Sequence, residues 1–505
     1  MADQPLGQKL IKKWFWMYVF AFFAAPVWYL IKVIVSNGLS VEDVGLFYSV
    51  MWFVTLVSTY HDLWLTEALQ YFLPKYWINK EYDNYKTTIY LTLAVQVFLW
   101  IIVAVLMYFG ADWLAIHHFK SPMAADVLKT LCIFFVGVNF LQVFSIVFVS
   151  FQDTISGNFV ETLRMYAVLI FTFIFWITHS LTLDTFAYSW IIWLFLALIT
   201  STLFFVIKYG HTLKKWTLHF NKSVLTKQIK YALWVFLGAN IGSLLAQIDQ
   251  QLVINLLGPE QAGYYTNFFS LVMIYSIVVG PFLTLIFPIV TELIIKKDYV
   301  RFGLYQNILY KYFGVLSLSL GFFFLVFGPV IAQILFGFKF EYSGHLLRYI
   351  GPFLIFNVLY IINYWILAGL GKVQQRVKIL WITLIVNVAC NFFLISFLKI
   401  GLLGAVISLI ISWLLMWFLS FRIVNKHLTI VWDIRFFLIN MCVIAGVMFI
   451  FYFLKNQLLL NDVYRLRNLG YLFLFLFVYY WILAAVNYKS IRALIGEVKA
   501  MRKSV

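Results

Sequence analysis

The chain has 505 residues, 64% of them hydrophobic and only 11% charged, with a mean hydropathy of +0.93. Ordinary globular domains carry roughly a quarter charged residues, so this composition excludes a string of soluble domains and makes lipid the main solvent. The net charge of +17 implies no nucleic acid, because the basic residues stand singly in short loops, as they do where Lys and Arg set membrane orientation.

Apolar runs long enough to cross about 30 Å of hydrocarbon recur along the whole sequence. The first, 14–35, holds Ala21-Phe-Phe-Ala-Ala25, a small-residue pattern like a cleavage site. Its apolar run continues to Val35, too long for a signal-peptide core, so it reads as a retained span. The second and eighth, 44–74 and 262–295, exceed 30 residues and must tilt, kink or project into water. Between them come 87–110, 125–151, 163–180, 185–207 and 229–257. Six more follow: 305–336, 346–370, 378–398, 401–424, 434–454 and 468–488. The expected fold class is therefore an all-α polytopic membrane protein of about 14 transmembrane helices. Cys132, Cys390 and Cys442 lie in apolar runs without ligand spacing and read as small buried hydrophobes.

Fourteen spans keep two classes of loop apart. Lys32, Lys120, Lys129, Lys339, Arg348, Lys399, Lys455, Arg465 and Arg467 are nine of the 37 Lys and Arg. The other 28, 37 less nine, then fall in termini and loops on one side, which the positive-inside rule makes cytoplasmic. Both termini are expected there.

Shifted by about 218 residues, the sequence resembles itself. Lys12 falls on Lys230, Trp16 on Trp234, and Leu39-Ser-Val-Glu-Asp-Val-Gly45 on Leu257-Gly-Pro-Glu-Gln-Ala-Gly263. Phe119-Lys120 falls on Phe338-Lys339, and Leu128-Lys129 on Leu347-Arg348. Each repeat holds six spans, an even number, so the two share one orientation, which is a transporter architecture. The expected organisation is a six-helix half over 1–207, an amphipathic linker over 208–228 and a second half over 229–426. Two extra helices and a basic tail fill 427–505. The linker's lysines, interleaved with Trp216, Leu218, Phe220 and Leu225, suit an anionic lipid surface.

Ionisable groups inside spans cost roughly 2.5–3.5 kcal/mol each on insertion scales and so mark cavities. The candidates are Lys32 in the first span, His61, Asp62 and Glu67 in the second, and Asp249 with Gln250 in the seventh. The repeat sets Lys32 opposite Gln250. Lys32 suits a diphosphate or a sugar carboxylate, or else snorkels to the interface. His61 and Asp62 suit a proton or sodium site, or else a polar pair within the bundle; Asp249 suits pairing with Lys32, binding a cation or orienting sugar hydroxyls. Lys129 and Arg348, repeat mates, read as anion-attracting residues or interface anchors. Asn139, Gln142, Asn357, Asn363, Asn387 and Asn391 suit sugar hydroxyls or inter-helix hydrogen bonds.

The run Gln247-Ile-Asp-Gln-Gln-Leu-Val-Ile-Asn-Leu-Leu-Gly-Pro-Glu-Gln-Ala-Gly-Tyr-Tyr265 resembles the seventh-to-eighth helix junction of polysaccharide flippases. These belong to the multidrug, oligosaccharidyl-lipid and polysaccharide exporter superfamily. Leu39 to Tyr48 is similar to the N-terminal version, and Leu367-Ala-Gly-Leu-Gly-Lys-Val-Gln374 to the turn after the tenth helix. The resemblance implies flipping of polyprenyl-diphosphate-linked oligosaccharide from inner to outer leaflet of a prokaryotic plasma (inner) membrane. It implies alternating access and partners among membrane lipids and polysaccharide assembly proteins. No cofactor is expected; a coupling ion, H+ or Na+, would use Asp62 or Asp249. The rivals are a drug or cation antiporter and a lipid II flippase. A membrane glycan polymerase or ligase is disfavoured, because no large loop carries paired carboxylates or a metal cluster.

Overall fold

A computed structural model of the chain describes residues 26–60, 65–151, 153–211, 217–218, 226, 228–229, 241–275, 286–427, 433–458, 465–490 and 492. Its helices start where a short polar side chain can satisfy orphan backbone donors. Ser40 Oγ accepts from Asp43 N at 3.0 Å, Asp153 Oδ1 from Ser156 N at 3.2 Å, and Asp298 Oδ1 from Arg301 N at 3.0 Å. Thr182 and Thr185 form a reciprocal capping box.

In chain order the helices are α1 (26–38), α2 (Val41–Tyr60), α3 (Leu65–Ile78), α4 (Tyr82–His117), α5 (Ala124–Ser150), α6 (Thr154–Ile177) and α7 (Leu183–Phe205). Next come α8 (Ile241–Leu257), α9 (Pro259–Val272), α10 (Ile286–Ile295), α11 (Tyr299–Phe336) and α12 (Glu341–Ile350). Last are α13 (Leu354–Gly369), α14 (Val373–Asn391), α15 (Leu402–His427), α16 (Ile434–Leu458) and α17 (Arg465–Val486). Eleven helical segments among the described residues are long and apolar enough to span a bilayer. The protein is an all-α polytopic membrane protein.

The helix starts carry the repeat. Shifted by 218 residues, the starts of α2, α4, α5, α6 and α7 fall within one residue of the starts of α9, α11, α12, α14 and α15. Val41 falls on Pro259 itself.

Several boundaries differ from the hydropathy expectation. The long second span holds α2 and α3, and the eighth α9 and α10, with 61–64 and 276–285 outside the described residues. The longest helices are α4, with 36 residues, and α11, with 38. At 1.5 Å per residue these run about 54 and 57 Å, well beyond the hydrocarbon core. Their polar first turns, such as Tyr82-Asp-Asn-Tyr-Lys86, escape a hydropathy window. The fifth span starts at Thr154, nine residues before the expected 163. Cys132 is buried as expected, but Cys390 is half-buried and Cys442 exposed, so the latter two are not core residues.

The chain packs as two units, Met1–Thr266 and Asn267–Val505. In the first, α5 packs against α2, α4 and α7, and α8 lies along α2. In the second, α11 packs against α12, α13, α16 and α17, and α15 against α13 and α14. Buried amides stitch this second bundle: Asn363 Nδ2 donates to Ser420 Oγ at 3.1 Å, Asn387 Nδ2 to Ser412 Oγ at 3.1 Å, and Asn391 Nδ2 to Ser408 Oγ at 3.0 Å. Tyr275 and Tyr310 donate to Asn357 and Asn363. Those asparagines bond helix to helix, as membrane packing demands.

Most of the expected 208–228 linker lies outside the described residues. Its start continues α7 as a π-helical turn, Val206–Gly210. Lys208 Nζ lies 2.8 Å from Asp153 Oδ2, Tyr209 Oη donates to the same oxygen at 2.9 Å, and Tyr209 stacks on Phe151 at 4.1 Å. Burial pushes the Asp153 carboxyl up, but hydrogen bonds from Lys208, Ser156 and Tyr209 outweigh it and hold it below the ordinary 3.8. A depressed carboxyl stabilises the fold in full above its unfolded value, and loses that contribution as pH falls through the folded one. Asp153→Asn keeps the cap and removes the charge. It is expected to cost less than about 1 kcal/mol and to speed amide hydrogen exchange over 206–211 at neutral pH; unchanged exchange would mean the ion pair does not hold this turn.

Candidate functional site

The first unit gathers three of the sequence-selected residues into one buried polar layer. Lys32, on α1, is 1% exposed. Its ammonium stands 3.6 Å from the centre of the Tyr48 ring and donates to Thr266 Oγ1 at 3.3 Å and Thr266 O at 3.5 Å. Tyr48 and Thr266 are themselves repeat mates, 218 residues apart. Gln250, the mate of Lys32, donates from Nε2 to Ser49 Oγ at 2.9 Å and Ala262 O at 3.2 Å. Asp249 is 4% exposed, with Tyr265 close enough to feel its charge. Lys32, Asp249 and Gln250 thus converge on residues 48–49 of α2 and 262–266 of α9.

Glycine lets these helices meet. A Cβ on Gly45 would lie 1.9 Å from Pro259 O, and one on Gly263 would lie 2.1 Å from Val41 O. Only backbone fits there, and the two glycines are repeat mates. Beside them, Gln251 Nε2 donates to Ser49 O at 3.0 Å and its Oε1 accepts from His118 Nε2 at 2.9 Å. Burial holds the His118 imidazole below its ordinary 6.5; the Gln251 bond opposes this, and the charge of Lys120 adds to it. Its neutral ring braces the α8 end of the layer.

The other selected residues stand elsewhere. Lys129 pairs with Asp112 at 2.9 Å on a partly exposed face of α4 and α5. Arg348 closes α12 in the second unit, where its Nη1 lies 3.4 Å from His345 Nδ1. Glu67 lies on α3, and His61 and Asp62 lie outside the described residues.

Next to the polar layer, and sharing Tyr48 with it, opens a cavity of about 490 Å³. Trp28, Trp52, Phe134 and Trp190 wall it, and Thr55, Ser58, Thr59 and Gln142 add polar groups. A second cavity of about 450 Å³ shares Ser58, Gln142 and Arg164 with the first and adds Ser145, Asn158, Glu161 and Trp193. Both sizes are those of small-molecule sites. Of the six amides left open by the sequence, Gln142 alone lines them, although Asn139 accepts from Ser58 at 2.8 Å.

Arg164 was missed by sequence reasoning. With the fifth span set at 163–180 it stands second in the span, where a charge reads as a helix-end residue facing water. The helix starts ten residues earlier than Arg164, at Thr154, which puts the guanidinium about 15 Å along the span. Glu161 pairs with its Nη2 at 2.7 Å one turn before, and Trp193 lies under it at 5.2 Å. An acid three residues ahead of an arginine on a helix is the signal that was available.

The fold has counterparts among known proteins. The family described as Polysaccharide biosynthesis protein matches residues 10–294. The uncharacterized membrane protein MJ1068 of Methanocaldococcus jannaschii is 26% identical over 445 residues, which are 83% of this chain and 85% of that one. Among solved structures, the lipid II flippase MurJ in an inward closed conformation shares the fold with a TM-score of 0.71 at 13% identity, over 93% of this chain and 99% of that one. An inward-facing multidrug resistance MATE family transporter of the MOP superfamily has a TM-score of 0.67 at 15% identity, over 80% and 94% of the two chains. Identities this low carry the fold alone.

Proposed function

We propose that this chain, a member of the polysaccharide biosynthesis protein family, is a membrane transporter of the flippase type whose cargo is a polyprenyl-diphosphate-linked oligosaccharide. The observation that supports this most is the buried layer of Lys32, Asp249 and Gln250 opening, through Tyr48, onto an aromatic and hydroxyl-lined cavity. A cation buried in an apolar chain suits an anionic head group, and ring faces beside hydroxyls suit the alternating C–H and O–H faces of a sugar.

In this reading the glycan and diphosphate enter the polar interior while the isoprenoid stays in lipid, and alternating access delivers them to the outer leaflet. A negative cytoplasm favours that direction by about 2.3 kcal/mol per charge per 100 mV, so a diphosphate of about two charges gains about 4–5 kcal/mol. Coupling to H+ or Na+ at Asp249 would assist this drive. The inner-membrane setting, cytoplasmic termini and assembly partners belong to the same proposal.

Reconstituted vesicles test it. A fluorescent polyprenyl-diphosphate oligosaccharide from the inner leaflet is expected to become reachable by an external lectin only when the protein is present. Equal exposure in protein-free vesicles would end the proposal. Lipid II and ethidium in the same vesicles separate the rivals: faster movement of either than of the oligosaccharide carrier would transfer the assignment to it.

A further inference from the structure

Four polar groups around the paired cavities find no hydrogen-bond acceptor or donor among the described residues: Arg164 Nε, Trp190 Nε1, Trp193 Nε1 and Tyr48 Oη, all buried. The three nitrogens are donors only. Buried donors left unmatched forfeit their hydration with nothing in return, so native proteins keep few of them without a reason. Three around one pair of joined cavities describe a site built for a ligand rich in acceptor oxygens. Arg164 sits where the cavities join and lines both. Its Nη2 edge is engaged by Glu161, whose side chain is 56% exposed, while its Nε edge stays on the buried side.

The charge count narrows the class. The Nε–H lies parallel to an N–H of Nη2, a fork that matches the two oxygens of one carboxylate, and a ligand gripping it shares Nη2 with Glu161. A diphosphate of about two charges at physiological pH would meet, among the described lining residues, one cation already paired with Glu161, a poor balance in a site of low dielectric. A neutral sugar would satisfy the indole donors but would offer the unmatched Nε–H only an uncharged acceptor, which makes the weaker bond. We infer that the paired cavities of the first unit form a saccharide subsite in which Arg164 grips the carboxylate of an acidic sugar, Trp190 and Trp193 donate to ring or hydroxyl oxygens, and Trp28 and Trp52 support the sugar face. This rests on the oligosaccharide reading above and specifies one component of the cargo, a uronic-acid residue, recognised apart from the diphosphate.

The test is a titration of the purified full-length protein in detergent, followed by tryptophan fluorescence, since four tryptophans line the cavities. Digalacturonate is expected to bind saturably and at least tenfold more tightly than galactobiose, its neutral counterpart, and inorganic pyrophosphate is expected not to displace it. Arg164→Gln should weaken digalacturonate at least tenfold, and Arg164→Lys, which keeps the charge but loses the fork, at least threefold. Glu161→Gln removes the competing carboxylate and should tighten it. Equal binding of the two disaccharides, displacement by pyrophosphate, a change under threefold in Arg164→Gln, or no saturable signal would each overturn the inference. The comparison of two sugars on the unaltered protein holds even if Arg164→Gln fails to fold. Flipping of a neutral oligosaccharide carrier without any preference for digalacturonate would sink this subsite and spare the transport reading. Saturable digalacturonate binding without flipping would do the opposite.

Discussion

A methyl group at Gly263 is expected to drive α2 and α9 apart and to destabilise the first unit by about 3 kcal/mol, the upper end of the overpacking range. The added Cβ would lie 2.1 Å from a backbone oxygen, Val41 O, which no rotamer change can move. Gly45→Ala meets Pro259 O at 1.9 Å and is expected to behave alike. Gly110, on α4, supplies the control, because nothing lies within 4 Å of a Cβ placed there. Alanine at 110 removes only glycine's helix penalty and is expected to raise stability by about 0.5–1 kcal/mol. Thermal unfolding midpoints in one detergent at one scan rate give the comparison. If Gly263→Ala and Gly110→Ala melt together, the close approach of the two backbones is not real.

Lys32→Met carries the second large effect, and its two readouts are expected to move in different directions. Methionine fills nearly the same volume, and exchanging a buried charge for a hydrophobe is often neutral or stabilising. The midpoint is therefore expected to hold or rise. Transport of the oligosaccharide carrier is expected to fall at least tenfold, because the ammonium over Tyr48 is removed. Asp249→Asn, also isosteric, is expected to slow transport with little change in midpoint. A lysine that merely packs the fold would give the reverse pattern for Lys32→Met, a lower midpoint with transport retained.

Much of this arrangement could be read from residue order, and the failures share a cause. The repeat offset came from scattered matches such as Lys12 with Lys230, and the helix starts reproduce it to within one residue. That offset also put Lys32 opposite Gln250, and both lie in one buried layer. Hydropathy failed where charge is cancelled locally. Glu161 and Arg164 lower the apolar average over the first turns of α6, so the span is expected to begin only between them, at 163, although an i,i+3 pair enters lipid far more cheaply than two separate ions. The asparagines posed a different difficulty. Asn387 and Gln142 are chemically alike, and only the neighbours that folding supplies make one a helix fastener and the other a cavity wall. Unmatched donors such as Trp190 Nε1 leave no trace in a sequence at all, since their meaning depends on what fails to surround them.

The meeting of Gly45 with Gly263 has one more consequence. Because the glycines are repeat mates, the seam is isologous, like the contact at the two-fold axis of a homodimer, where one surface faces a copy of itself. A methyl on either side obstructs the same gap, so once one is present the second finds the gap already opened. The double variant Gly45→Ala/Gly263→Ala should thus be markedly less unstable than two independent lesions would make it, a coupling of the sort neighbours show.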